Sequence, residues 1–345
     1  MFSNNGKISC HQLKALIFSD FAGIYIVYMP LVIFSGAMEG VFLSYMLSFL
    51  IGAGAIWLFS YIIDKKGGTT KNNLFFKILC IVFFIKTAVM GGYFINLSAL
   101  IASGVFVRGT SKIAAILLLV LCALFLCQKG FESRARFGEI AAFFILLGGI
   151  YVFIITSFDC DFREIKRTFL LNTQVFNISK GILFSFMGIE NLIFLLPLVS
   201  PSKTKKVGIE GAKSYLFLGL FTGALSALAL CRYGANEVSV KLWPVLQMMN
   251  SADFPGMLLE RQDIVIMGMW LMSIVSFCCY SLSFMTIEIN EVLGRKSKKS
   301  IWISAFVIIA FSLLGGETAG TLEKIWTGSI LNPIAAVLAF IYILL

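Results

Sequence analysis

Three ionisable residues, Asp20, Lys86 and Glu190, lie inside long apolar stretches of the sequence. If these stretches are helices that cross a membrane, the three side chains lie roughly 12, 18 and 15 Å into a hydrocarbon layer of about 30 Å. A charge at that depth costs at least about 2.5–3.5 kcal/mol, so such residues usually face the bundle interior, where they form pairs or belong to a pathway. We therefore expect all three to face the interior of the bundle.

The chemistry open to these three residues leaves alternatives. Glu190 could recognise a ligand ammonium group, carry a proton in a coupled transporter, or accept hydrogen bonds from backbone N–H groups freed at a helix break. Lys86 could stand in for a coupling cation, or form a structural ion pair with Asp20 or Glu190. An earlier start of the first helix would place Asp20 nearer to the membrane interface.

The composition identifies the class of protein. Of the 345 residues, 59% are hydrophobic and 13% are charged, whereas soluble domains average about 45–50% and 25%. We therefore predict an integral membrane protein in a lipid bilayer. The net charge of +10 does not indicate nucleic-acid binding, because the basic residues form short clusters between apolar runs. With a single histidine, His11, and no metal-binding spacing among the cysteines, we expect no enzyme activity, metal or cofactor.

Ten stretches are long and apolar enough to be membrane helices, which need about 20 residues. They cover about 12–34, 40–63, 74–97, 112–128, 137–157, 180–200, 214–232, 264–288, 300–316 and 329–345. Most Lys and Arg residues lie in short loops on the side of both termini, so we place the termini in the cytoplasm. The long loops at about 158–179 and 233–263 are then external. Because the N-terminal segment lacks a cleavage motif, we expect the first span to be retained.

The first and sixth spans share a sequence pattern. Residues 23–32 and 188–199 both run from Gly-Ile through an apolar stretch to Pro-Leu-Val. With five spans in each half, this indicates a single domain, 1–345, of inverted repeats at about 12–157 and 180–345. Helices interrupted by Gly or Pro at matching positions of inverted repeats point to a transporter binding site. However, both residues are common in membrane helices, so the pattern could also arise by chance.

Four segments in order carry a family resemblance: 6–30, 129–140, 184–199 and 258–270. They resemble endospore germination permeases, the B-type membrane subunits of nutrient germinant receptors. The resemblance implies an all-α fold similar to amino acid/polyamine/organocation transporters. That fold has ten transmembrane helices in the inverted five-plus-five LeuT arrangement, with the first and sixth helices broken around the substrate.

The resemblance also implies a function. A small germinant such as an amino acid would bind in the inner membrane of the spore, and A-type and C-type receptor subunits would be partners. The implied ligand-binding residues are Gly23, Ile24, Tyr25, Gly188, Ile189 and Glu190, with Asp20 and Lys86 as intramembrane coupling charges. The alternative is an amino acid permease coupled through protons or through Lys86. The sequence does not separate the two, because both need the same pocket.

Overall fold

A computed structural model describes residues 7–34, 41–65, 74–106, 109–158, 160–163, 191–195, 198–199, 204–241, 243–250, 263–327, 338 and 341. Within them the chain is helical: α1 (Cys10–Phe34), α2 (Val41–Lys65), α3 (Leu74–Ile101), α4 (Lys112–Gln128), α5 (Phe131–Ser157), α6 (Leu192–Leu195), α7 (Thr204–Val240), α8 (Pro244–Asn250), α9 (Asp263–Leu293) and α10 (Ser300–Thr327). A short π-helical turn, Ala102–Phe106, continues α3.

Five helices of the described part are long and apolar enough to cross a membrane. They are Tyr45–Ile63, Leu74–Gly104, Phe131–Ser157, Lys206–Gly234 and Ile266–Leu293. Large apolar side chains are exposed on the outer surface, including Leu118, Phe125, Phe143, Leu220 and Phe306. Because hydrocarbon is the natural solvent of such a surface, the structure fits a multi-pass membrane protein.

The predicted spans match the helices in order wherever both can be compared, although α7 begins at Thr204 rather than near 214 and α10 runs to Thr327 rather than about 316. The first five spans correspond to α1–α5, and the seventh, eighth and ninth correspond to α7, α9 and α10. α5 begins at Phe131 rather than near residue 137, because the polar segment 131–136 is already helical. The sixth and tenth predicted spans lie mostly outside the described residues, so the count of ten remains a prediction.

α1 occupies a central position in the bundle. It packs against α5, α7 and α9, while α2 packs against α7 and α3 packs against α9 and α10. α7 kinks at Gly234, where the backbone has a φ of 73°, a conformation that glycine adopts without steric cost. The interior formed by these contacts is mostly apolar, so the four charged residues buried in the described part, Asp20, Lys86, Arg134 and Glu288, are conspicuous.

Ion pairs bring the starts of three helices together. Lys14 at the start of α1 lies 2.9 Å from Glu210 of α7, and His11 lies 3.0 Å from Glu139 of α5. The N-terminal ends of α1, α5 and α7 therefore lie at one end of the bundle. This agrees with the prediction that the N-terminus and the loops before α5 and α7 share one side of the membrane.

The segment before α1 is also held in place. Ile8, which is buried, forms an isolated parallel bridge with Val199, and its N–H donates to the Leu198 carbonyl at 3.0 Å. The start of α1 is thus fixed to the chain just after α6.

Candidate ligand site and buried ion pair

α1 was expected to break at Gly23, but it is a single helix from Cys10 to Phe34, with Pro30 inside it. At this point a side chain from α9 bonds to two backbone groups of α1. The Ser273 hydroxyl of α9 donates to the Ser19 carbonyl at 3.0 Å and accepts from the Gly23 N–H at 2.5 Å. Ser19 and Gly23 are the i and i+4 positions that bond directly in a regular helix. The first helix is therefore not unwound at Gly23. Instead, it carries a hydroxyl between two of its backbone groups, a known origin of helix bends.

Close packing explains the glycine at position 23. A Cβ added there would lie 2.7 Å from the Ser273 Oγ atom and 2.8 Å from its Cβ atom. The two predicted neighbours, Ile24 and Tyr25, are buried, and the Tyr25 hydroxyl lies 3.1 Å from the Tyr215 hydroxyl of α7. The structure thus places all three residues at helix contacts of α1. Whether they also touch a ligand stays a prediction.

The other half of the predicted site, Gly188, Ile189 and Glu190, lies outside the described residues. The residue that follows, Asn191, is described and buried, with 1% of its surface exposed. Its Nδ2 atom donates to the Thr87 hydroxyl of α3 at 3.2 Å and to the Tyr280 hydroxyl of α9 at 2.7 Å.

These two bonds use both N–H donors of the Asn191 carboxamide and thereby fix its orientation. Its Oδ1 atom has no hydrogen-bond partner in the part of the chain that the structure describes. A buried acceptor without a donor is unfavourable by about 1–3 kcal/mol, so this position favours a group that can donate. Neither Asn191 nor its partners Thr87 and Tyr280 were candidates from the sequence, although a polar residue directly after Glu190 was an available signal.

Lys86 lies in α3 directly before Thr87 and is buried, with 1% exposed. This confirms that the charge belongs to the bundle interior rather than to its surface. Its coupling role stays a prediction. The carboxylate of Asp20 accepts a hydrogen bond from Nη2 of Arg134 of α5, and both side chains are buried.

The Arg134 guanidinium lies among three aromatic rings. Its Cζ atom is 4.8 Å from the ring centroid of Phe131, 5.3 Å from that of Phe284 and 5.8 Å from that of Tyr280. At these distances the ring faces attract a cation, and more strongly when water is excluded. Nε and Nη1 of Arg134, and Oδ1 of Asp20, have no hydrogen-bond partner among the described residues. The pair thus joins α1 to α5 through one contact and retains further hydrogen-bonding capacity.

Two further charged residues are buried although they lie close to helix ends. Arg134 is 1% exposed, whereas Arg136, two residues later, is exposed. Glu288, near the end of α9, is fully buried. In both cases the helix face, rather than the distance from the helix end, decides burial.

The fold of the chain is similar to that of a solved transporter. A Na⁺-coupled sialic acid symporter, in a substrate-bound outward-open state, superposes with a TM-score of 0.69 over 97% of this chain and 80% of that chain. At 13% sequence identity the likeness concerns the fold alone. It confirms the predicted fold class, an all-α membrane protein of the LeuT type.

Curated relatives share sequence with part of the chain. The chain is 26% identical over 186 residues to spore germination protein GerQB of Bacillus cereus, a match that covers 52% of this chain and 50% of the relative. It is 24% identical over 243 residues to spore germination protein A2 of Bacillus subtilis (strain 168), which covers 58% and 65% respectively. In these matches the chain spans between half and two thirds of the relatives' length. The profile of the spore germination protein family matches residues 7–319, so the chain belongs to that family.

Proposed function

We propose that the chain is the membrane subunit of a spore nutrient germinant receptor, which binds a small germinant, an amino acid, and triggers germination. It would act in the inner membrane of the spore, with both termini in the cytoplasm and with A-type and C-type subunits as partners. Membership of the spore germination protein family and the transporter fold support this function. The single structural observation that carries the site is Asn191, a buried carboxamide with one acceptor left over.

The proposed pocket lies where four elements converge. Asn191 contacts Thr87 of α3 and Tyr280 of α9, and the Tyr280 ring packs against Phe21 of α1 with centroids 4.9 Å apart. An amino acid ammonium group would donate to Asn191 Oδ1 and pair with the Glu190 carboxylate. Since a ligand acts only by binding one conformation more tightly than another, an arrangement of α1 that holds the ammonium group more tightly would be the active state.

The experiment compares spores that carry the chain with spores that carry Glu190→Gln, using the twenty proteinogenic L-amino acids one at a time. We expect the variant to need about 10- to 100-fold more of the active amino acid, since hydrogen bonds to charged groups contribute about 1.5–3 kcal/mol. Abundance of the variant in the spore membrane is the control. An unchanged response at normal abundance contradicts the role of Glu190.

A second function, an amino acid permease coupled through protons or through Lys86, is favoured by the buried lysine and by the transporter fold. Uptake of radiolabelled amino acids by the purified full chain in proteoliposomes separates the two functions. A receptor subunit gives little uptake, and its deletion abolishes germination with the active amino acid. Robust uptake together with normal germination after deletion overturns the receptor function.

A further inference from the structure

Tyr280 of α9 contacts both parts of the buried polar interior. We propose that Tyr280 is a positioning residue that transmits a change at Asn191 to the Asp20–Arg134 ion pair, and through that pair to α1. This role rests on the proposed function, because the change that it transmits is the binding of a ligand beside Asn191. It concerns how the site reports binding, rather than which groups hold the ligand.

The contacts of Tyr280 reach three other elements. Its hydroxyl accepts from Asn191 Nδ2 at 2.7 Å, its ring centroid lies 5.8 Å from Arg134 Cζ, and its ring packs edge-on against Phe21 of α1 at 4.9 Å. The side chain is 2% exposed and stacks on Phe277, with ring centroids 5.7 Å apart. A tyrosine has only two side-chain torsions, and a packed interior leaves little free volume. A displacement of its hydroxyl must therefore move the ring.

Movement of the ring acts on Arg134. The guanidinium is held by Asp20 on α1 and by the rings of Phe131, Phe284 and Tyr280. Cation–π attraction depends on the position of the cation over the ring face, so a shifted Tyr280 ring changes the balance between the rings and the carboxylate.

The part of α1 that the change would reach is residues 19–23. Asp20 follows Ser19, whose carbonyl and hydroxyl accept hydrogen bonds at 3.0 Å from Ser273 and Ser276 of α9. The same Ser273 hydroxyl accepts from the Gly23 N–H. A change in the ion pair would therefore act on the part of α1 whose Ser19 and Gly23 backbone groups bond to the Ser273 hydroxyl.

Hydrogen exchange of the full chain in nanodiscs tests the transmission without any ligand. The variants are Asn191→Leu, Tyr280→Phe and the double variant, and the observed peptide covers residues 14–27. We expect Asn191→Leu to accelerate exchange at residues 19–23 by about two- to thirtyfold, the range that coupled networks cover. In the double variant exchange should match that of Tyr280→Phe alone. If the two effects multiply, the proposal is overturned. Should Asn191→Leu fail to accumulate, Asn191→Ser takes its place in the same cycle.

Phe131→Leu is the matched control, because the Phe131 ring also lies on the Arg134 guanidinium, 4.8 Å from Cζ. Phe284 is unsuitable, since its ring packs on Tyr280 itself with centroids 4.8 Å apart. No contact of Phe131 with Tyr280 or Asn191 is among those described, so its effect on exchange should multiply with that of Asn191→Leu. A purely structural role of the rings predicts that Phe131→Leu and Tyr280→Phe behave alike in the two cycles, and this result also overturns the proposal.

Binding to the purified chain and germination of spores together distinguish an effect on ligand affinity from an effect on the germination response. With Tyr280→Phe, we expect binding of the active amino acid by the purified chain to change less than about twofold, while the germination rate at saturation falls by about threefold or more. A loss of affinity with an unchanged saturated rate contradicts the positioning role. If none of the twenty amino acids binds the chain or triggers germination, the proposed function fails, and the exchange cycle still decides the role of Tyr280.

Discussion

Arg134 of α5 and Asp20 of α1 form an ion pair whose side chains are only 1% and 4% exposed. Two charges in such a place compensate each other, because neither has access to water. The pair also connects α1, whose Gly23 N–H bonds to the Ser273 hydroxyl of α9, to α5, which packs beside it. Its strength therefore bears on both stability and movement of α1.

Removal of Arg134 from the buried pair should lower the stability of the fold far more than removal of Arg136 from its exposed pair nearby. We expect Arg134→Leu to lower the free energy of unfolding by about 3–5 kcal/mol, because it leaves Asp20 charged and buried. The matched control is Arg136→Leu, two residues away, whose exposed pair with Glu132 should contribute at most about 1 kcal/mol. Equilibrium unfolding of the detergent-solubilised chain, followed by circular dichroism, measures both, and equal losses would show that burial of the pair is unimportant.

Gly23→Ala should disturb the contact between α1 and α9. The new Cβ would meet Ser273 at 2.7–2.8 Å, and overpacking of this kind typically costs about 1–3 kcal/mol. Because both Oγ and Cβ of Ser273 are in the way, Ser273→Gly should restore part of the stability, whereas Ser273→Ala should restore less. Gly54→Ala in α2, where a Cβ meets nothing within 4 Å, is the control and should be neutral or stabilising. A Gly23→Ala chain as stable as the wild type refutes the close approach.

The hydrogen bond between Tyr45 of α2 and Thr222 of α7 should show an asymmetry. The Thr222 hydroxyl also donates to the Leu218 carbonyl at 2.8 Å. Tyr45→Phe therefore leaves Thr222 with a partner, whereas Thr222→Val leaves the Tyr45 hydroxyl buried and unpaired. We expect Thr222→Val to be the more destabilising, by about 1–3 kcal/mol, and the double variant to resemble Tyr45→Phe. Equilibrium unfolding followed by circular dichroism checks the order, and a reversed order would contradict the assigned partners.

The Lys14–Glu210 pair should be weak and sensitive to salt. Its side chains are 40% and 16% exposed, and exposed pairs contribute about 0.2–1 kcal/mol. A double-mutant cycle of Lys14→Met and Glu210→Gln should give a coupling of that size in 0.1 M salt. In 1 M salt, where screening acts over about 3 Å, the coupling should disappear. A coupling that persists in high salt would mean that the pair is shielded from solvent.

The helices could be predicted from the sequence because hydrocarbon imposes both length and composition on a spanning segment. The fourth predicted span, 112–128, matches α4 at both ends. The start of α5 could not be placed in this way, since residues 131–136 are polar and hydropathy alone treats them as a loop. The burial of Arg134 follows from helical periodicity instead: it shares a face with Gly138, Ala141 and Ile145, all of which are buried.

The candidate site could be predicted only in part. Asp20 and Lys86 were found because a charge in an apolar run is costly. Asn191 carries no charge and gives little such signal, and its bonds to Thr87 and Tyr280 join positions about one hundred residues apart. The partner of Asp20 could not be chosen from the sequence either, since only the packing of α1 against α5 brings Arg134 within reach.

The bridge between Ile8 and Val199 has a practical consequence for anyone who labels this protein. Ile8 is 1% exposed, and its backbone N–H is bonded to the Leu198 carbonyl. A fluorophore or affinity tag attached close to residue 7 would pull on the backbone that follows α6, and so would not be a neutral handle. The same position could serve as a sensor, because a small reporter there would register any displacement of residues 198–199.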